Sequence, residues 1–221
     1  MSREPLSRDR ALAAAVGLAD AEGLTALTMR RLAADLGVEA MSLYYHLPGK
    51  GGLLDGLAEW VIDEIRAAVG DERGDWRERL RRRFLRAREV MLRHPWAPAL
   101  LGTRPSVPPG LYAYYDEIVG TLLAAGFTPR LAHRAIHAFG TMALGFVQEL
   151  FTPGTTDVGA AEEDLAAMAA AVPHLTTMLA AEVHAAGDPA LGWCDSQVEF
   201  EFTLDLLLDG LDRLAAGSPV G

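Results

Sequence analysis

The chain of 221 residues contains one cysteine, Cys194, and one lysine, Lys50. A single cysteine cannot form an internal disulfide, and no Cys/His spacing indicates a zinc site, so we expect a cytoplasmic protein without a metal or other cofactor. Apolar runs are short as well. The longest uncharged run of the C-terminal half, residues 165–181, falls short of a membrane span, and the first ten residues lack the apolar stretch of a signal peptide. The sequence therefore predicts no membrane contact.

Aromatic residues are also scarce, at 7% of the chain, although 50% of the residues are hydrophobic. Alanine and leucine dominate, and the alternation of apolar and polar residues that is typical of strands is rare. The length is sufficient for one or two domains with a sizeable core. The composition therefore predicts an all-α protein.

Residues 27–54, LTMRRLAADLGVEAMSLYYHLPGKGGLL, predict two short helices joined at a glycine and followed by a third helix. Thr28 is placed to cap the first helix, because its hydroxyl can accept a hydrogen bond from an amide of the first turn. Gly37 ends that helix, since glycine adopts the left-handed C-cap conformation without steric cost. Ala33 is small enough for the two helices to cross closely. This is the pattern of a helix-turn-helix, whose second helix lies in the DNA major groove.

The exposed side of this second helix carries small, hydroxyl-bearing and aromatic side chains, which suit base edges and phosphate oxygens. Lys50, near the start of the next helix, would add a phosphate contact that the helix dipole favours. An ordinary helical hairpin with half-buried tyrosines is the alternative interpretation, but the combined pattern is more specific than any one residue. The residues that we predict to contact DNA are Thr28, Arg30, Ala40, Met41, Ser42, Tyr44, Tyr45, His46 and Lys50.

The segment over residues 36–50, LGVEAMSLYYHLPGK, resembles the signature of the tetracycline-repressor (TetR) family of transcriptional regulators. The residues that match the family pattern are Gly37, Val38, Leu43, Tyr44, Tyr45, His46 and Lys50. The resemblance implies an all-helical homodimer that binds a double-stranded DNA operator through its N-terminal domain. It also implies release from that operator when a small molecule binds in the C-terminal domain.

The formal net charge of −10 is unfavourable for binding DNA, because phosphate neutralisation supplies most non-specific affinity. Residues 1–50, however, hold six basic and six acidic side chains, so the surplus negative charge lies beyond them. We expect such a neutral N-terminal domain to bind random DNA weakly and to depend on fitted contacts.

Residues 76–94 predict a helix with eight arginines, from Arg77 to Arg93. These arginines form either a nucleic-acid-binding patch or a solvated face that flanks a buried apolar side, and we favour the solvated face. The residues expected on the buried side are Leu80, Phe84, Leu85, Val90, Met91 and Leu92.

Five prolines are expected to divide residues 94–110, HPWAPALLGTRPSVPPG, into a short turn and a loop. The LGTRP at residues 101–105 is similar to the ligand-binding domain of the tetracycline repressor. The His-Pro-Trp variant resembles family members that guard the export or synthesis of polyketide-like compounds. Leu100 stands where the tetracycline-binding members have a metal-binding histidine, so we expect ligand binding without a divalent cation.

Two further helices are predicted over residues 109–125 and 129–150, and the second places His133, His137, Thr141 and Gln148 along one side. Histidines four residues apart can bind a metal, but polar points in an apolar ligand pocket are the better hypothesis, with core histidines as the alternative. The residues predicted to wall a pocket for a bulky, largely flat hydrophobic compound are Trp96, Leu100, Thr103, Ile118, His133, Ile136, His137 and Thr141.

The last predicted helix, over residues 195–215, follows a loop at 151–159 and a break at 187–189, and it is apolar on nearly all sides. One protomer cannot cover so much apolar surface, so the helix predicts burial against a second subunit. A central helix within one protomer is the alternative.

We therefore expect an all-α protein with a helix-turn-helix DNA-binding domain at residues 1–50 and a helical ligand-binding and dimerisation domain at 51–221. The expected function is that of a ligand-responsive transcriptional regulator, a repressor released from an inverted-repeat operator by a small hydrophobic, polycyclic or polyketide-like effector. One alternative is an all-helical enzyme or ligand-binding protein that acts on a hydrophobic small molecule, although no catalytic arrangement supports an enzyme. Another is a scaffold whose N-terminal domain binds protein.

Overall fold

A computed structural model describes residues 5–70, 73–105, 107–146, 171–174, 177 and 196–216. Within these ranges the chain is helical and contains no strand, which confirms the predicted all-α class. The helices are α1 (Arg8–Ala26), α2 (Met29–Leu36), α3 (Ala40–His46), α4 (Gly49–Val69), α5 (Trp76–Arg93), α6 (Ala97–Thr103), α7 (Pro109–Ala124), α8 (Pro129–Gly145) and α9 (Ser196–Ala216). The predicted loop at 151–159, the break at 187–189, Gln148 and Cys194 lie outside the described residues.

Helix α2 begins and ends where the local sequence predicts. The Thr28 hydroxyl accepts a hydrogen bond of 3.1 Å from the Arg31 amide, so Thr28 is the N-cap of α2. Gly37 has a φ of 63° and ends α2 in the left-handed conformation. The Val38 amide then donates to the Ala33 carbonyl at 3.0 Å, which satisfies one of the last carbonyls of the helix. These caps fix the sharp turn between α2 and α3.

Helix α4 lies against both the N-terminal helices and the rest of the body. It packs on α1 at one end and on α5, α6 and α7 along its length. Gly56 allows the close contact with α1, because a Cβ atom at this position would lie 2.6 Å from the Leu12 Cδ2 atom. Helix α4 begins at Gly49, so Lys50 lies in its first turn.

The segment between α5 and α7 is more regular than the sequence predicts. Residues 97–103 form the short helix α6 instead of a turn and a loop. Pro98 is the second residue of this helix, where the missing amide of proline removes no intrahelical hydrogen bond. One of the prolines from which the sequence predicts a turn and a loop therefore lies in the first turn of a helix.

The chain divides into two compact units, residues 1–147 with 204–221 and residues 148–203. In the first unit, α8 packs against α5, α6 and α7. Its Phe139 ring stacks on the Phe84 ring of α5, with centroids 4.7 Å apart. No helix among the described residues is long and apolar enough to cross a membrane.

The arginines of α5 are engaged within the protein. Arg77 pairs with Asp209 at 2.5 Å and Arg81 pairs with Asp205 at 3.2 Å, which ties α5 to α9. Arg83 and Arg88 are buried, each with 2% of its surface exposed, on the side where we expected only apolar residues. Leu92, which we placed on the buried side, is 40% exposed, so that prediction is wrong. Pairing to acidic neighbours argues against a nucleic-acid-binding patch on this helix.

Candidate DNA-binding surface and ligand cavity

Two buried leucines hold α3 and leave most of its other side chains in solvent. Leu43 and Leu47 are fully buried, whereas Met41 is 77% exposed and Tyr45 is 88% exposed. Tyr44 is 47% exposed. Several large side chains are rarely exposed together on a protein surface, and such a group is typical of a binding surface.

The nine residues predicted to contact DNA lie on α2, on α3 and at the start of α4. Those that are exposed are Thr28, Arg30, Met41, Ser42, Tyr44, Tyr45 and Lys50, and those that are half-buried are Ala40 and His46. The rings of Tyr45 and His46 meet edge to face with centroids 5.1 Å apart. The helix-turn-helix thus presents hydroxyls, an imidazole and small groups on its second helix.

Most cations near this surface are already paired. Arg31 bonds Glu22 at 2.8 Å and Asp35 at 3.2 Å, and Arg8 bonds Glu59 at 3.1 Å. Arg30, by contrast, has no ion pair among the residues that the structure describes. The positive charge available to DNA phosphates on α2 is therefore that of Arg30.

Lys50 has a structural contact that the sequence did not reveal. Its ammonium donates hydrogen bonds to the carbonyls of Leu27 and Leu24, at the corner between α1 and α2. Burial lowers the pKa of Lys50. Because an ammonium has three donors, one remains for a phosphate while the other two tie α4 to the helix-turn-helix.

A buried histidine joins three segments of the chain. The two ring nitrogens of His94, which follows α5, lie 2.8 Å from an Asp20 oxygen of α1 and 3.0 Å from a Glu64 oxygen of α4. The Trp96 indole also donates to Asp20, at 2.6 Å. Burial raises the pKa of Glu64, but its hydrogen bonds to Arg93 and His94 outweigh that effect, so the pKa is lowered. The His-Pro-Trp segment therefore anchors the N-terminal helices to the body.

The LGTR segment makes a second link to α4. Arg104 pairs with Asp55 at 2.5 Å. The Thr103 hydroxyl donates back to the Ala99 carbonyl at 2.7 Å, and Thr103 itself is exposed. Thr103 therefore completes its own helix and does not face a cavity.

An apolar cavity of about 120 Å³ lies inside the body, between α4, α5, α6, α7 and α8. Among its lining residues only the two tyrosines carry a hydroxyl, and none carries a charge. The lining residues are Ile62, Ile65, Phe84, Ala87, Met91, Leu101, Leu111, Tyr114, Tyr115, Gly140, Ala143 and Leu144.

None of the eight residues predicted to wall a pocket lines this cavity. His133, His137 and Thr141 lie on the exposed side of α8, while Gly140 and Ala143 face the cavity. Helical spacing groups residues on one side of a helix, but it does not reveal which side faces inward. The remaining five predicted residues lie elsewhere. Trp96, Leu100 and Ile118 are buried outside the cavity wall, Ile136 is half-buried and Thr103 is exposed.

The exposed histidines do not form a metal site with other residues of the described part of the chain. The rings of His133 and His137 meet edge to face with centroids 4.7 Å apart. Within the described ranges no group of three His, Cys, Asp or Glu residues is placed to hold a metal ion.

A charged cluster supports the wall of the cavity. Glu117 of α7 bonds Arg66 of α4 at 2.6 Å and the buried Arg83 of α5 at 2.7 Å. Burial raises the pKa of Glu117, but the two guanidinium groups outweigh it and lower the pKa. The Arg83 guanidinium also lies over the Tyr114 ring, 5.2 Å from its centroid. The cluster holds three helices of the wall together.

An exposed helix-turn-helix joined to a helical body with an apolar cavity is the arrangement of a helix-turn-helix regulator. Family models match both parts of the chain. The model of bacterial regulatory proteins, tetR family, matches residues 11–57, and the model of the tetracyclin repressor-like C-terminal domain matches residues 70–215. The chain belongs to the TetR family of transcriptional regulators, as the resemblance over residues 36–50 predicts. It is therefore a regulator and not an enzyme.

Individual relatives agree with this assignment. The chain is 32% identical to the HTH-type transcriptional repressor DrrR1 of Streptomyces coeruleorubidus, over 96% of this chain and 79% of that protein. It is 38% identical to an HTH-type transcriptional regulator of Saccharopolyspora erythraea, but over only 55% of this chain and 51% of that protein. The crystal structure of the Streptomyces coelicolor TetR family protein ActR in complex with actinorhodin has a TM-score of 0.72 and 26% identity. It covers 97% of this chain and 100% of ActR.

Proposed function

We propose that this TetR-family regulator is a homodimeric repressor that leaves its operator when a small, largely apolar compound enlarges the body cavity. The observation that carries the proposal is the position of α4. Its residue Lys50 bonds the corner between α1 and α2, and its residues Ile62 and Ile65 line the cavity. A ligand that moves α4 at the cavity wall would therefore also move the residue that bonds the corner between α1 and α2.

The volume of the cavity supports coupling between binding and movement. Sites for drug-sized ligands enclose roughly 300–1,000 Å³, whereas this cavity encloses about 120 Å³. A polycyclic effector would have to push the wall helices apart. Because α4 is one of those helices, the effector would favour a form of the protein with displaced DNA-binding helices. Such a switch needs only a difference in ligand affinity between the two forms.

The lining of the cavity supports an apolar effector bound without metal. The wall is largely aliphatic and aromatic, and its lining residues include no carboxylate, imidazole or thiol that would bind a metal ion. ActR, which has a similar fold, binds actinorhodin in its crystal structure. We propose a polycyclic or polyketide-like compound as the effector of this chain.

Helix α9 supports a homodimer. Its buried residues include Leu204 and Leu208, but four large apolar side chains remain in solvent. These side chains are Val198, Phe202, Leu206 and Leu214, and each is at least 51% exposed. A second copy would cover them, and two copies would place two α3 helices on the half-sites of an inverted repeat.

Such a regulator would act in the cytoplasm, where the DNA is.

We propose that the nine residues predicted from the sequence form the DNA contact, since all nine are exposed or half-buried on adjoining elements. The proposed domains are residues 1–50 for DNA binding and 51–221 for ligand binding and dimerisation. The separate family matches at 11–57 and 70–215 support this division.

A gel shift with the DNA upstream of its own gene tests the proposal. The protein should retard this DNA at nanomolar concentration and release it when actinorhodin or a related polycyclic quinone is added, with or without a chelator. A control DNA of scrambled sequence should not be retarded at that concentration. Absence of specific retardation, or release that requires a divalent cation, would contradict the proposal.

A further inference from the structure

One residue of the cavity wall carries a polar group that has no hydrogen-bond partner among the described residues. Tyr114 is buried and lines the cavity, and its hydroxyl has no hydrogen-bond partner among the described residues. Buried hydroxyls are nearly always paired, because an unpaired one loses its hydrogen bond to water without replacement. Such an exception in a cavity wall requires an explanation.

The polar groups around Tyr114 do not use its hydroxyl. Arg83 lies over the ring and directs its guanidinium to Glu117 at 2.7 Å. The neighbouring Tyr115 ring is 6.0 Å away between centroids. The charged cluster is therefore complete without the hydroxyl.

We propose that the Tyr114 hydroxyl is the hydrogen-bonding anchor of the cavity, and that it donates to a carbonyl or ether oxygen of a neutral, otherwise apolar ligand. Burial raises the pKa of Tyr114 far above its ordinary value, so the hydroxyl keeps its proton and acts as a donor. The inference rests on the proposed role of the cavity as the effector site. It adds the chemistry by which one apolar compound is selected over another.

The expected selectivity follows from the unpaired group. A ligand with an oxygen in reach of Tyr114 gains a buried hydrogen bond, and a ligand of the same shape without that oxygen leaves the hydroxyl unpaired. A single hydrogen bond of this kind corresponds to about fivefold to tenfold in affinity. The preference should disappear when the hydroxyl is removed.

The test uses two bicyclic probes of nearly equal shape, 1-tetralone, which has a ketone oxygen, and tetralin, which has none. Isothermal titration of the full-length protein should give about fivefold to tenfold tighter binding of 1-tetralone. Tyr114→Phe should reduce this ratio to about one by weakening 1-tetralone alone. Tyr112→Phe is the matched control, because Tyr112 is on the same helix but 64% exposed and outside the cavity wall.

A second measurement is independent of any ligand. Since the hydroxyl of the free protein is unpaired, Tyr114→Phe should leave the Tm unchanged or raise it. A lower Tm would show that the hydroxyl has a partner, and the proposal would then be wrong. Equal affinity of the wild type for both probes, or no binding of either, would also overturn it. Because these titrations contain no DNA, a protein that prefers 1-tetralone but is never released from its operator would refute the proposed function and leave the anchor intact.

Discussion

Helices α3 and α9 both leave large apolar side chains in solvent, but the chemistry of the two surfaces differs. On α3 the large exposed residues are Met41, Tyr44 and Tyr45, two of which end in hydroxyls. Arg30 lies nearby, exposed and without an ion pair among the described residues. On α9 the large exposed side chains are aliphatic or phenyl groups without a polar atom. Hydroxyls and cations suit a wet, charged partner such as DNA, whereas a purely apolar stripe suits a dry contact with protein. The difference supports the proposed division, with DNA at α3 and a second copy of the chain at α9.

The largest effect is expected from a charge on the α9 surface. Leu206→Arg should convert the proposed dimer into a monomer. An arginine buried without a partner in that interface would cost at least about 3 kcal/mol, more than a hundredfold in dissociation constant. Sedimentation at micromolar concentration measures the mass, and operator affinity should fall with it. Leu123→Arg on α7, which is 42% exposed, is the control and should remain dimeric. A monomeric wild type that binds a palindromic site tightly would contradict the assignment of α9.

A smaller and purely functional effect is expected on α3. Tyr45→Ala should weaken operator binding by about 1 to 2 kcal/mol, roughly tenfold, because a contact to DNA is lost. Its dimer mass and Tm should match those of the wild type, since the side chain is 88% exposed. Gel-shift titration and thermal denaturation measure the two quantities. Unchanged affinity would remove α3 from the DNA interface.

Variants of Lys50 and Arg30 distinguish a residue that also makes contacts within the protein from one that is expected to contact DNA alone. Either residue mutated to alanine should reduce the slope of log affinity against log salt by about one phosphate contact for each subunit bound. Lys50→Ala should also lower the Tm, because the carbonyls of Leu27 and Leu24 lose their donor. Arg30→Ala should leave the Tm unchanged. Equal Tm values for the two variants would show that the Lys50 hydrogen bonds do not contribute to stability.

The smallest expected effect is a loss of thermal stability at acidic pH. The pKa values of Glu64 and Glu117 are lower in the folded protein than their ordinary values, so the native state holds these carboxylates ionised. Their stabilisation is complete above the unfolded pKa of about 4.3 and is lost as the pH falls through the folded pKa. The Tm should therefore drop below about pH 4. Glu64→Gln should have a lower Tm than the wild type at neutral pH, and its Tm should fall less as the pH is lowered. If the Tm of both proteins depended on pH in the same way, the Glu64 carboxylate would not contribute to the acid sensitivity.

The sequence predicted the helix-turn-helix well because its signals are local. The Thr28 cap and the left-handed Gly37 each depend on atoms within four residues. The body was harder to predict because its contacts join distant segments. His133 and His137 were placed in a pocket although they lie on the exposed side of α8. Two buried arginines and the paired Lys50 were missed because their partners are 34 residues away for Arg83, 58 for Arg88 and 23 for Lys50.

The bridge through His94 has a consequence for building chimeric regulators. One imidazole lies within hydrogen-bond distance of both Asp20 of α1 and Glu64 of α4, so the first helix is fastened to the body as well as to its own neighbours. A graft that exchanges residues 1–50 for those of another repressor would discard Asp20 and leave His94 and Trp96 facing foreign atoms. Such a graft needs an acceptor kept at the Asp20 position, or a junction placed beyond Trp96, so that both sides of the contact come from one protein. The DNA-binding domain can therefore be exchanged between regulators only if its contact with His94 and Trp96 is preserved.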